Sequence, residues 1–121
     1  MKFTGSLVAL LSSLLLFCSG ARAHAHLKDA MPADDAALTS PPTSLSLAFS
    51  EGLEVKLSCA TLRGPDGAPL ATGPTSLGAD KKSISIAIPE ELGTGAYTVD
   101  WHAFSNDGHT TRGTYHFKVG R

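Results

Sequence analysis

Residues 97–119 read YTVDWHAFSNDGHTTRGTYHFKV, and the fold turns on the two alternating runs at the ends of this stretch. In AYTVDWHAF (96–104), Tyr97, Val99 and Trp101 fall on one face, with Asp100 and His102 on the other. In TYHFKV (114–119), Tyr115, Phe117 and Val119 point one way while His116 and Lys118 point the other. Successive side chains of a strand lie on opposite sides, so this period of two marks strands with one buried and one wet face. Trp101 reads as core, and His102 and His116 as residues of the exposed face. Working outward, SLSLAF (44–49) repeats the pattern with Leu45, Leu47 and Phe49. SISIAI (83–88) does so with Ile84, Ile86 and Ile88, until Pro89, which has no N–H for a ladder, ends the run. LSCATLRGPDGAPLA (57–71) predicts a hairpin turning at Gly64-Pro65-Asp66-Gly67. No segment beyond residue 23 sustains a helical period, and PEELGTG (89–95) has room for one helical turn at most. Many short strands separated by turns predict one all-β domain, a sandwich or barrel.

The first 23 residues, MKFTGSLVALLSSLLLFCSGARA, have another character. Lys2 supplies a positive start, Leu7 to Phe17 an apolar stretch, and Ala21-Arg22-Ala23 the small-x-small pattern of a signal-peptidase site. The reading is a cleaved secretory signal peptide (1–23) followed by a domain of 98 residues (121 − 23) starting at His24. Cleavage removes Cys18 and leaves Cys59 alone, so the exported domain has no internal disulfide and relies on its core. Cys59 itself is expected to pack as a small hydrophobe. Removing Lys2 and Arg22 leaves eight basic residues (10 − 2) against 11 acidic ones, a net charge of −3 (8 − 11). A mildly acidic domain is no partner for nucleic acid, whose phosphates require a basic face. No exposed apolar stripe demands a dimer, and a monomer is expected.

Chemistry gathers at the new N-terminus and in SNDGHTTRG (105–113). Once cleaved, His24 offers two donors, its α-amine and its own Nδ1, which can close a chelate ring on one metal. The amine ordinarily titrates at about 7.7–8.0, so a metal displaces its proton readily at neutral pH. Asp107 and His109 lie two apart and can point to the same side of an extended segment, with Gly108 permitting a tight backbone between them. Three nitrogens and a carboxylate oxygen suit Cu(II). Zn(II) prefers a tetrahedral set, often with thiolates, and a Cu(I) site needs clustered Met or Cys. After cleavage Met31 is the only methionine. His26 is read as supporting the site or the structure, not as a ligand. Glu51, in FSEGLE, reads equally as an outer carboxylate near the metal and as a solvated strand-end acid.

HAHLKDAMPADDA (24–36), LSLAFSEGLE (45–54) and YTVDWHAFSNDGHTTRGTYHFKV together resemble the CopC family of periplasmic copper-binding proteins, from His24 to Val119. The resemblance implies a seven-stranded Greek-key barrel or sandwich, similar to an immunoglobulin fold. It implies Cu(II) bound by the His24 amine and Nδ1, Asp107 and His109, with Glu51 and His26 in supporting positions. It also implies periplasmic location and a CopD-like inner-membrane copper transporter as partner. One departure stands out: the methionine-rich Cu(I) segment of some members is missing, so this chain resembles the members with a Cu(II) site only.

Three functions compete. A copper carrier in homeostasis or resistance, without catalytic residues, is favoured. An oxidase or monooxygenase acting on an extracellular polymer shares the N-terminal histidine brace, but Asp107 would fill a position that oxygen chemistry needs open. A metal-free adhesion or scaffold module would leave the pairing of His24 with Asp107 and His109 a coincidence.

Overall fold

The alternating runs become the facing layers of a two-sheet sandwich in the computed structural model, which describes residues 25–120. The expected signal peptide, its cleavage site and His24 lie outside the described residues. The strands are β1 (Leu27–Met31), β2 (Ala36–Leu38), β3 (Ser44–Phe49), β4 (Cys59–Arg63), β5 (Pro69–Leu70), β6 (Thr75–Leu77), β7 (Ser83–Ala87), β8 (Gly95–Phe104) and β9 (Thr110–Val119). One sheet has the order β1-β3-β7-β6 and the other β2-β9-β8-β4-β5. The chain changes sheet between β1 and β2, β2 and β3, β3 and β4, β5 and β6, and β7 and β8, the crossing habit of a Greek-key sandwich. Nine segments stand where seven strands are expected, and three of them, β2, β5 and β6, are only two or three residues long.

The apolar positions of all four alternating runs face inward. Leu45, Leu47, Leu62, Val99, Ala103 and Phe117 are fully enclosed, and Ile84 and Ile86 nearly so. Each large aliphatic or aromatic side chain removed from water contributes about 1.5–3 kcal/mol before the cost of ordering the chain. Phe49 meets Trp101 edge-on at 5.2 Å between ring centroids, and Tyr97 stacks on Phe117 at 5.5 Å. The Tyr97 hydroxyl donates to the Gly93 carbonyl at 2.8 Å, tying the start of β8 to the loop before it. Opposite Trp101 stands Gly113, where a Cβ would lie 2.4 Å from the indole Cζ2. Glycine at 113 is the slot into which the indole fits.

The predicted hairpin is present. Leu62 pairs with Leu70 and Arg63 with Pro69 across the turn, which the Gly67 N–H closes on the Gly64 carbonyl at 2.9 Å. Segment 89–95 is not helical, and among the described residues one 3-10 turn occurs, at Val55–Leu57. Cys59 departs from its expected packing. It shares the outer face of β4 with Thr61 and Arg63, because Ala60 and Leu62 take the inward positions of the alternation. At one end of the sandwich three loops converge: residues 25–26 before β1, 50–54 after β3, and 105–109 between β8 and β9.

Candidate metal centre

The β8–β9 connection is a tight five-residue loop. The Ser105 N–H donates to the His109 carbonyl and the Gly108 N–H to the Ser105 carbonyl, both at 2.9 Å. Gly108 adopts φ 92°, a conformation that disfavours other residues and that turns the chain between Asp107 and His109. Asp107 Oδ1 is the hub of the loop. It accepts from the Ser105 hydroxyl and, at 3.3 Å, from the His109 N–H, and lies 3.2 Å from His109 Nδ1. The Ser105 hydroxyl first, then the His109 ring and amide, hold the Asp107 carboxyl below the usual carboxylate range against an opposing desolvation effect. It is therefore ionised at neutral pH. About half of the His109 side chain is exposed, so this carboxylate and imidazole meet at a solvent-accessible tip.

The neighbouring loops brace that tip. The Asn106 N–H donates to the Gly52 carbonyl at 2.9 Å, Leu53 bridges Ser105, and the Glu54 N–H donates to the Phe104 carbonyl at 2.9 Å. A Cβ at Gly52 would lie 2.6 Å from Asn106 Nδ2, so the two loops touch closely. On the other side, the Thr111 hydroxyl donates to the Ala25 carbonyl at 2.8 Å, and Ala25 is fully buried. Next along the chain, the His26 N–H donates to Ser50 Oγ and the Ser50 N–H returns to the His26 carbonyl, both at 2.9 Å.

Of the expected site residues, Asp107 and His109 are brought together. His26 and Glu51 are exposed in the adjoining loops, with the His26 backbone paired to Ser50 beside Glu51. His24 lies outside the described residues. Among the described residues no three His, Cys, Asp or Glu side chains form a group that could hold a metal ion, and Asp107 and His109 stand together as a pair. The residues that sequence reasoning missed are Ser105, which orients Asp107, and Thr111, which fixes Ala25 in the loop before β1. Their signal lay in the Ser and Thr flanking the DGH turn, types that readily bond nearby backbone or carboxylate.

A family model for the CopC domain matches residues 27–120. The chain belongs to the CopC family. Protein YobA of Escherichia coli K12 is 42% identical over 98 residues, covering 80% of this chain and 79% of that protein. Copper resistance protein C of Escherichia coli is 41% identical over 106 residues, covering 82% and 83%. The crystal structure of PcoC, a methionine-rich copper resistance protein from Escherichia coli, matches with a TM-score of 0.72 and 41% identity. That match covers 81% of this chain and 100% of that one. The all-β sandwich is thus the fold of the CopC family. Against a methionine-rich relative, the CopC domain here has one methionine among its described residues, Met31, two-thirds exposed on β1.

Proposed function

We propose that this protein is a copper carrier that works outside the cytoplasmic membrane, holding Cu(II) through the His24 amine and Nδ1, Asp107 and His109, and delivering it to a membrane transporter of the CopD kind. One observation carries the reading: the Thr111–Ala25 hydrogen bond. It fixes the residue that follows His24 to a residue two places from His109. This tether of Ala25 supports a site that joins the His24 amine and ring to Asp107 and His109. With His24 added, the set is three nitrogens and one anionic oxygen, which favours Cu(II). Relatives named for copper resistance support the choice of metal. The role of residues 1–23 is to take the chain out of the cytoplasm and, by cleavage after Ala23, to create the terminal amine. The exposed tip suits hand-over, because a partner can approach His109 directly. A carboxylate already held ionised beside His109 supports storage over oxygen chemistry, which needs an open coordination position.

The test is a Cu(II) titration followed by EPR, comparing the chain that begins at His24 with one extended by a single residue. The His24 chain is expected to bind one Cu(II) with a nitrogen-rich type-2 spectrum, and the extended chain far more weakly. Equal affinity would remove the amine from the site. His109→Ala is expected to weaken binding by at least about 100-fold, about 2.7 kcal/mol, because losing even a partner of a ligand costs about 10–100-fold.

A further inference from the structure

The outer face of the five-stranded sheet carries a second pair of metal-binding side chains, away from the loop at its end. Cys59 on β4 stands directly opposite His102 on β8, and Cys59 Sγ lies 3.8 Å from His102 Nε2. Both residues are half-buried; Cys59 opens β4 and its pairing with His102 is the end of the β4–β8 ladder, while His102 is also held from its other side by pairing with Arg112 on β9. We propose that Cys59 and His102 form a second metal site, for a soft monovalent ion such as Cu(I).

Three features favour this ion. The first is geometry: with bonds of about 2.3 Å to sulfur and 2.0 Å to nitrogen, an ion spans 3.8 Å at an angle of about 125°. The spacing between the two atoms needs no change, and a bent two-donor arrangement has room for one external ligand. The second is donor number. The nearest carboxylate along this face of β8, Asp100, is committed, with Oδ2 2.7 Å from Arg63 Nε and Oδ1 accepting from the Thr114 hydroxyl at 2.8 Å. The clustered Met or Cys expected of a Cu(I) site is replaced here by one sulfur and one imidazole, a donor number low enough for a soft monovalent ion, whereas Zn(II) in a structural site takes four. The third is charge. Arg112 is paired with His102 from β9, so the row reads Cys59, His102, Arg112 across three strands. A thiolate with a monovalent ion is neutral beside that guanidinium, while a divalent ion would leave a net positive charge next to it. Binding releases the thiol proton to solvent.

The experiment loads the His24-starting protein anaerobically with Cu(I) buffered by a competing chelator and follows alkylation of Cys59 by iodoacetamide. Cu(I) is expected to slow the alkylation at least tenfold. His102→Ala, with its fold checked by Trp101 fluorescence, should need at least tenfold more free Cu(I) for the same protection. His109→Ala should leave the protection unchanged, which separates this site from the loop whether or not the loop binds Cu(II). Alkylation indifferent to Cu(I), protection unaltered by His102→Ala, or protection lost in His109→Ala would each overturn the proposal.

Discussion

The β8–β9 hairpin is held in two different ways along its length. In its body, Trp101 fills the slot at Gly113 and Tyr97 stacks on Phe117, so the strands are locked by inward packing. At its tip, residues 106–109 are exposed and take their shape from hydrogen bonds to one another and to the 50–54 loop. The body therefore owes its stability to buried area, which is shared among many residues. The tip owes its geometry to single polar contacts, each with one donor and one acceptor. Such a division lets the tip change its chemistry without unfolding the sandwich, and it puts the candidate ligands Asp107 and His109 where few other constraints act.

The largest effect should come from breaking the body. Phe117 is fully buried, and Phe117→Ala is expected to cost about 3–5 kcal/mol of stability, read from denaturant unfolding. The Cu(II) affinity of the molecules that remain folded should be unchanged. If affinity falls in step with stability in the folded ensemble, body and tip are not separate and the division fails.

A smaller effect should follow at the junction of the two regions. Thr111→Val keeps the shape of the side chain but removes the hydroxyl that donates to the Ala25 carbonyl. The loss of that bond is expected to cost about 1 kcal/mol in unfolding experiments. If residue 25 positions His24 for the metal, Cu(II) affinity should also drop, on the order of tenfold by the arithmetic of about 1.4 kcal/mol per decade. Unchanged affinity would mean that the tether has no part in the site.

This division also explains what could be read without a structure. Leu45, Leu47, Ile84, Ile86, Tyr97, Val99, Trp101, Tyr115 and Phe117 announce their burial by alternation, because a strand with one wet face must repeat every two residues. β1 escapes that logic: a register shift between Leu27 and Asp29 breaks the alternation. β2 and β6 escape it because three residues are too few to show a period. At the site, Asp107 and His109 were legible from their spacing about a glycine. The roles of Ser105 and Thr111 were not, since the contact from Thr111 to Ala25 crosses 86 positions of sequence. Nor does alternation alone reveal that Cys59 and His102 stand opposite one another, a fact of register.

The smallest effect separates the tip from the body by pH. Two carboxyls of the hairpin are held below the usual range for different reasons: Asp107 chiefly by the Ser105 hydroxyl, Asp100 chiefly by Arg63 and then Thr114. A carboxyl whose folded value is depressed adds stability that is present above its unfolded value and lost as pH falls through the depressed one. Ser105→Ala removes the main cause at Asp107, so that group should titrate at higher pH, closer to its ordinary 3.8, while Asp100 keeps its low value. Carbon-detected NMR titration of the two side-chain carboxyls distinguishes them directly. If Asp107 binds Cu(II) as proposed, the acid limb of binding in the variant should move to higher pH, because the carboxyl is protonated earlier. A parallel shift of Asp100 would show that the tip and the body of the hairpin share one electrostatic environment, and an unmoved Asp107 would show that the serine does not tune the site.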